Sequence, residues 1–156
     1  MSKAFTKEDD GSDESLPPYV PPWPPGTHNY VTPGGFAALR SEQAELAVAA
    51  PSREVRRRMA VVAAHLEAAE VITPPHGPVA RVQFGTAVTV RDEGGSVKTW
   101  SIVGVDEVSA AERRVSWLSP IARAMQGAQV GDAVTVRTPR GEEVWEIESI
   151  VGLGGA

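Results

Sequence analysis

Hydrophobic residues recur at three- and four-residue spacing through residues 30–73, which is typical of helices that pack along one face. Two such stripes flank Pro51 and Ser52, where proline ends one helix and serine can cap the next. Thr32 before Pro33 marks the start of the first helix in the same way. The pattern predicts a short antiparallel coiled-coil hairpin of two helices, each about 17–20 residues and roughly 25–30 Å long. The stripe positions are Phe36, Leu39, Gln43, Leu46 and Ala50 in the first helix and Val55, Met59, Val62, Leu66 and Ala69 in the second.

Apolar and polar residues alternate from residue 79 onward, which is typical of strands with one buried face. A short helix interrupts the alternation, since Ser119 can cap it, Pro120 fits its first turn and Gly127 can end it. This order predicts an α+β fold in which a curved antiparallel sheet wraps one short helix. The predicted strands cover residues 79–84, 87–91, 97–103, 115–118, 133–136 and 144–150, with hairpin turns at 92–95 and 139–141. We expect much of the core to come from Trp100, Trp117 and Trp145.

The chain divides into four parts by composition. Residues 1–29 form an acidic and then Pro-rich flexible leader, residues 30–73 the hairpin, residues 74–78 a Pro-rich linker and residues 79–156 the sheet domain. Six prolines within residues 16–26 exclude a helix or a central strand there and favour an extended polyproline-like form. Two interpretations stay open for the leader, a disordered tail or a docking arm anchored by Tyr19 and Trp23.

Charge and composition exclude several kinds of protein. The net charge of −5 argues against bulk electrostatic binding of nucleic acid. The chain has no Cys, so it has no disulfide framework and no thiolate metal site, which fits a cytoplasmic protein. Its three His lack the spacing of a metal site. We therefore expect a monomeric protein without metal, cofactor or membrane span, with His65 partly exposed and His76 in a solvated linker or sensitive to pH.

Short motifs in the C-terminal half carry a family resemblance. SPIARAMQG at residues 119–127 is followed by VGD, TPRGE and WEIESI, which ends at residue 150. The match extends to residues 84–86 and 102–107, and it is weaker at residues 30–40 in the helical region. Together these motifs resemble the bacterial GreA/GreB transcript-cleavage factors. The resemblance implies a coiled-coil hairpin followed by an FK506-binding-protein-like domain, and a partner, RNA polymerase, that is gripped near its secondary channel.

The hairpin tip departs from that family. Family members carry a D-x-x-E-N-A-D-Y-like tip whose carboxylates help hold a second Mg²⁺, which prefers oxygen ligands. Residues 47–54 offer one carboxylate, Glu54, next to a cluster of arginines, and the hairpin is several turns shorter. The regulator of nucleoside diphosphate kinase, a short-hairpin relative, is similar in both respects. The resemblance therefore implies a polymerase-binding elongation factor that is not an enzyme and does not stimulate cleavage, with indirect contact with nucleic acid in the transcription complex.

Two alternative functions stay open. The first is an active cleavage-stimulating factor that uses Glu54 or another acid. The second, from another class, is a prolyl isomerase-like interaction module, although fold alone does not license that activity. No nucleophile with a nearby base stands out in the sequence, so no residue is assigned a catalytic role.

The candidate site residues follow from the resemblance, and each has a structural alternative. Ser119 either docks on the polymerase or only caps a helix, and Asp106 and Glu107 either face the polymerase or shape a turn. Leu118 stands where the family commonly has Asp or Asn. The arginine cluster, which also includes Arg58, is either a solvated face or a contact with acidic polymerase surface or phosphate. The candidate polymerase-binding residues are Asp106, Glu107, Leu118, Ser119, Pro120, Ile121 and Arg123, and the candidate tip residues are Arg53, Glu54, Arg56 and Arg57.

Overall fold

The N-terminal half of the fold is a helical hairpin closed at its base by two short strands. In the computed structural model, which describes residues 16–154, helix α1 spans Pro33–Ala47 and helix α2 spans Arg53–Ala68. Strand β1, Asn29–Val31, precedes α1, and strand β2, Ala69–Val71, follows α2 and pairs with β1 in parallel. Neither helix, nor any other helix within residues 16–154, is long and apolar enough to cross a membrane.

Both hairpin helices begin as the sequence predicts, but they are shorter. The Thr32 hydroxyl accepts a hydrogen bond from the Gly35 amide at 3.1 Å, and the Ser52 hydroxyl accepts one from Val55 at 3.0 Å. Ala50 lies outside α1 because it precedes Pro51, and the residue before a proline is driven out of the helical region. Ala69, predicted as the last stripe residue of the second helix, is instead the first residue of β2. Helix α1 has 15 residues and buries Leu39, and helix α2 has 16 residues and buries Val62.

The C-terminal half is a curled sheet of five strands, which are Thr86–Arg91 (β3), Val97–Val103 (β4), Arg114–Ser116 (β5), Ala133–Thr138 (β6) and Gly141–Gly152 (β7). They lie in the order β5-β4-β3-β7-β6. The pairs β3–β4, β3–β7 and β6–β7 are antiparallel, and the β3–β7 register shifts between Thr89 and Val90. Such an irregularity bends the strand and increases its twist.

The sheet is antiparallel, as predicted, except at one edge, where β5 pairs with β4 in parallel. The connection between these strands contains a 3₁₀ turn, Val105–Glu107, and then a loop that ends at Arg113. Arg113 adopts a left-handed φ of 51°, and its carbonyl accepts a hydrogen bond from the Ser101 amide at 2.9 Å. The loop therefore brings the chain back so that β5 runs in the same direction as β4.

The strand predicted for residues 79–84 is absent from the structure. Its backbone groups pair with several different elements rather than with one neighbouring strand. The Val79 amide donates to the Ile150 carbonyl, whereas Val82 exchanges backbone hydrogen bonds with Ala128 and Gly127. Helix α3 spans Pro120–Met125, and Val82 lies in the same buried core as Ala122 and Met125 of this helix. The buried side chain of Val82 explains why the apolar alternation resembled a strand.

The core of this half lies between the sheet and α3. Ala122 and Met125 of α3 are fully buried against Ile102, Ile147 and Trp145. The prediction that Trp145 is part of the core is confirmed, since only 4% of this residue is exposed. Trp100 and Trp117 are half-buried at the edge of this core, and Trp100 stacks on Trp145 with ring centroids 5.7 Å apart.

Candidate functional site

The Ser-Pro surface, which we define as Leu118, Ser119, Pro120, Ile121 and Arg123, is the start of helix α3. The Ser119 hydroxyl accepts a hydrogen bond from the Ala122 amide at 3.2 Å, so the helix-cap interpretation of Ser119 is confirmed. Pro120 and Arg123 are exposed, whereas Ile121 packs against the core. The exposed part of this surface therefore combines a rigid proline with a guanidinium group.

An aromatic pocket adjoins the Ser-Pro surface. It has a volume of about 300 Å³ and is open to solvent. Tyr30 comes from strand β1 of the hairpin and lies 4.6 Å from Trp117, centroid to centroid, and 6.0 Å from Phe84. The pocket is lined by Tyr30, Phe84, Trp117, Leu118, Arg123 and Gln126. Its walls fit an apolar side chain, and Arg123 at its edge fits an acidic neighbour of that side chain.

Asp106 and Glu107 act within the chain, at the junction of hairpin and sheet. The Glu107 carboxylate accepts hydrogen bonds from the Thr32 amide and the Gly104 amide, each at 3.1 Å, and from the Thr32 hydroxyl. A side-chain carbon at Gly35 would collide with this carboxylate, so glycine lets α1 approach the turn closely. One acid thus holds the first turn of the hairpin against the 3₁₀ turn of the sheet half.

Asp106 binds His65 across the same junction. His65 Nδ1 lies 2.8 Å from both carboxylate oxygens of Asp106, and the two side chains are 5% and 13% exposed. The expectation that His65 is partly exposed is therefore wrong. The structure favours the structural alternative for both Asp106 and Glu107, while a polymerase contact by either residue stays a prediction.

His65 also receives the Pro-rich segment of residues 16–28, which we call the arm. The Tyr19 hydroxyl hydrogen-bonds to His65 Nε2, and the Trp23 ring meets the His65 ring edge-on at 4.8 Å. Burial raises the pKa of the Tyr19 phenol, and the nearby Asp106 carboxylate raises it further, although Arg58 opposes both effects. Tyr19 and Trp23 are thus aromatic anchors, as the docking-arm interpretation predicts, and they dock on this chain. The predictions for residues 1–15 lie outside the described residues.

The hairpin tip carries exposed charges of both signs. Arg53, Glu54, Arg56 and Arg57 are all exposed in the first turns of α2. Arg58 is used differently, since its guanidinium makes two hydrogen bonds of 2.6 and 2.9 Å to Glu42 on α1. A second exposed acid, Glu45, lies in the last turn of α1, so the tip region has two carboxylates on different helices. Within residues 16–154, no group of three or more His, Asp and Glu side chains is arranged to hold a metal ion.

Comparisons with known proteins bear on this arrangement. The profile of the family described as "Transcription elongation factor, GreA/GreB, C-term" matches residues 77–151. The transcription elongation factor GreB of Neisseria meningitidis serogroup B is 33% identical over an alignment of 153 positions, which covers 80% of this chain and 94% of that protein. This chain belongs to the GreA/GreB family. The transcription elongation factor GreA of Anaeromyxobacter sp. is 39% identical over 112 residues, or 70% of this chain and 68% of that protein.

The alignment with the Neisseria GreB also shows a difference in length. It runs over 153 positions but uses only 80% of the 156 residues here, so this GreA/GreB chain is the shorter one within the aligned span. A hairpin shorter than that of the relative requires this chain to have fewer residues within the aligned span. The solved structure of the GreA factor homolog 1 of Thermus thermophilus is 18% identical, covers 81% of this chain and all of that chain, and has a TM-score of 0.43. At that score the likeness carries nothing about the function of this chain.

Sequence patterns missed two features of this GreA/GreB member. The His65 contacts join residues 46 and 41 positions apart, and no short motif marks such a pairing. The aromatic pocket likewise combines Tyr30 from the hairpin with Trp117 and Phe84 from the sheet half. One signal for the pocket was nevertheless present in the sequence, because two large apolar residues, Trp117 and Leu118, stand directly before the Ser-Pro pair.

Proposed function

We propose that this GreA/GreB family member binds RNA polymerase near its secondary channel and regulates elongation without stimulating transcript cleavage. The Ser-Pro surface would grip the polymerase, and the hairpin would point into the channel. The protein would then act as a factor on the polymerase and would not itself be an enzyme. The observation that carries this proposal is the exposed Pro120 and Arg123 beside an open aromatic pocket.

The geometry of the pocket indicates what the polymerase must offer. An apolar side chain can enter between Tyr30 and Trp117, and a neighbouring carboxylate can pair with Arg123. Leu118, which stands where the family commonly has a polar residue, lines the same pocket and adds apolar surface. Asp106 and Glu107 would act indirectly, because they hold the hairpin in a fixed direction relative to the Ser-Pro surface.

Hairpin length and charge support the absence of cleavage. Helix α1 has 15 residues, which at 1.5 Å per residue gives a length of about 22 Å. Exposed arginines flank the carboxylates near its end, and a cationic surrounding disfavours Mg²⁺. One observation favours the alternative of an active factor: Glu45 and Glu54 both lie near the tip, where two-metal hydrolysis would need paired acids.

The binding test uses core RNA polymerase and two substitutions that each introduce a carboxylate. Leu118→Asp places a carboxylate at the aromatic pocket, and we expect it to raise the dissociation constant for polymerase by about tenfold or more. Val97→Asp is the matched control, since Val97 is 47% exposed and lies at the start of β4. The other end of that strand, Val103, is the one next to the pocket, because its carbonyl accepts the Trp117 amide. Equal affinity of both variants and the unchanged protein would contradict docking through this surface, and no binding by any of them would contradict the partner.

A further inference from the structure

A mostly apolar cavity, which we call the arm cavity, lies between the arm and helix α2. It has a volume of about 400 Å³, within the range of about 300–1,000 Å³ that is typical of small-molecule sites. Leu16 to Val20 of the arm line one side, and Arg57, Ala60 and Val61 of α2 line the other. The arm cavity is separate from the aromatic pocket, since the two have no described lining residue in common.

The side of the arm cavity that the arm provides is largely preformed. The Tyr19 hydroxyl hydrogen-bonds to His65 Nε2, and the Trp23 ring meets the His65 ring edge-on at 4.8 Å. These contacts hold the arm against α2 next to the cavity. Pro17 and Pro18 each have a fixed φ, so this wall loses little conformational entropy when a ligand binds.

The apolar lining favours an apolar ligand over water. An ordered water molecule needs about two to four polar partners. The aliphatic side chains and proline rings supply none, and the Tyr19 hydroxyl is already bonded to His65. An apolar group that displaces poorly held water gains affinity. Proline and aromatic rings also pack well on each other, as they do where Pro-rich segments bind aromatic grooves.

Arg57 adds a requirement for negative charge. Among the described residues that line the arm cavity, it is the only one with a charged side chain, and it is exposed. A guanidinium group binds a carboxylate through charge-assisted hydrogen bonds, often through both oxygens at once. A ligand that combines an aromatic ring with one carboxylate therefore matches both the lining and its charge.

We propose that the arm cavity is a binding site for a small aromatic carboxylate, with the ring between the arm and α2 and the carboxylate on Arg57. The ligand contacts both elements at once, so it binds only while the arm is docked. By thermodynamic linkage, the bound ligand favours the docked arm in return. This site lies on the hairpin and goes beyond the polymerase contact proposed for the Ser-Pro surface.

The test titrates the full-length protein with 2-naphthoate and does not involve polymerase. Binding is followed by the NMR shifts of the amides of Tyr19, Val20, Ala60 and Val61. We expect these signals to shift to saturation, with a dissociation constant on the order of 1 mM or below. The uncharged 2-naphthamide has nearly the same shape, and we expect it to bind at least about threefold more weakly.

Two matched substitutions each remove one positive charge. Arg57→Gln should raise the dissociation constant for 2-naphthoate by about three- to tenfold. Arg137→Gln is the control, since Arg137 is an exposed residue of strand β6 in the sheet half, and it should leave the dissociation constant unchanged. Tyr19→Phe keeps the ring that lines the arm cavity but loses the hydrogen bond to His65, so it should also weaken binding.

The location of the shifts and their dependence on charge decide the proposal. Shifts confined to Trp117 and its neighbours would assign 2-naphthoate to the aromatic pocket and overturn the proposal. The absence of a saturable shift would overturn it as well, and so would equal affinities of the Arg57→Gln and Arg137→Gln proteins. None of these results depends on polymerase, so a failure here is distinct from a failure of the proposed function.

Discussion

His65 and Asp106 join the helical hairpin to the sheet half, with Nδ1 of the imidazole 2.8 Å from both oxygens of the carboxylate. When Nδ1 carries the proton it donates to Asp106, and in the tautomer without a proton on Nε2 that nitrogen accepts from the Tyr19 hydroxyl. The backbone of His65 is also fixed, since its carbonyl accepts a hydrogen bond from the Asn29 side-chain amide at 3.1 Å. One side chain thus connects the arm, helix α2 and the 3₁₀ turn.

Loss of the Asp106 carboxylate should destabilise the protein. Asp106→Ala leaves a buried imidazole N–H without its acceptor, and we expect the free energy of unfolding in urea to fall by about 1–3 kcal/mol. Asp106→Asn retains an acceptor oxygen and should cost less. Glu93→Ala, at an exposed turn position, serves as the control and should stay within about 0.5 kcal/mol. A value for Asp106→Ala that matches this control would rule out a structural role for the pair.

The Arg58–Glu42 pair should stabilise the hairpin weakly and in a pH-dependent manner. The pair is partly exposed, so a double-mutant cycle with Arg58→Ala and Glu42→Ala should give a coupling of about 0.2–1 kcal/mol at pH 7. The hydrogen bond from Arg58 lowers the pKa of Glu42 below its usual value of 4.5. Because the folded pKa is the lower one, the contribution is present above pH 4.5 and is lost as the pH falls through the folded pKa. A coupling that is unchanged in acid would contradict this assignment.

Ser119 allows the cap to be separated from docking. Ser119→Ala removes the acceptor of the Ala122 amide and should lower the free energy of unfolding by about 0.5–2 kcal/mol. Ser119→Asp keeps an acceptor at the helix start and should be close to wild-type stability, but it adds a negative charge next to Pro120. If the surface docks as proposed, the Asp variant should be stable and weak in polymerase binding. Full affinity in this variant would leave Ser119 with its cap role alone.

The sequence predicted elements where local signals decide the structure. Strand β4 has the predicted bounds, Val97–Val103, because a Gly-rich turn precedes it and Gly104 follows it. The caps at Thr32, Ser52 and Ser119 were predictable for the same reason, since a cap involves residues three positions apart. These features need no knowledge of the tertiary fold.

Prediction failed where distant partners decide the structure. Residues 79–84 have the alternation of a strand, but their backbone groups bond to Ile150, Ala128 and Gly127, which lie far along the chain. In the sequence His65 resembles an exposed helical residue, but in the fold it is covered by Tyr19 on one ring nitrogen and by Asp106 on the other. Arg58 likewise belonged to a charge cluster in the sequence, but in the fold it reaches across to Glu42.

The most direct test of the proposed function is an RNA cleavage assay on a backtracked transcription complex. The full-length protein is added at concentrations shown to saturate binding, with a cleavage-competent family member as positive control. We predict that the RNA 3′ end keeps its length and that this protein slows shortening by the competent factor, because both occupy the channel. Rapid shortening by this protein alone would contradict the account, and its loss in a Glu45→Gln, Glu54→Gln variant would then assign the activity to those two acids.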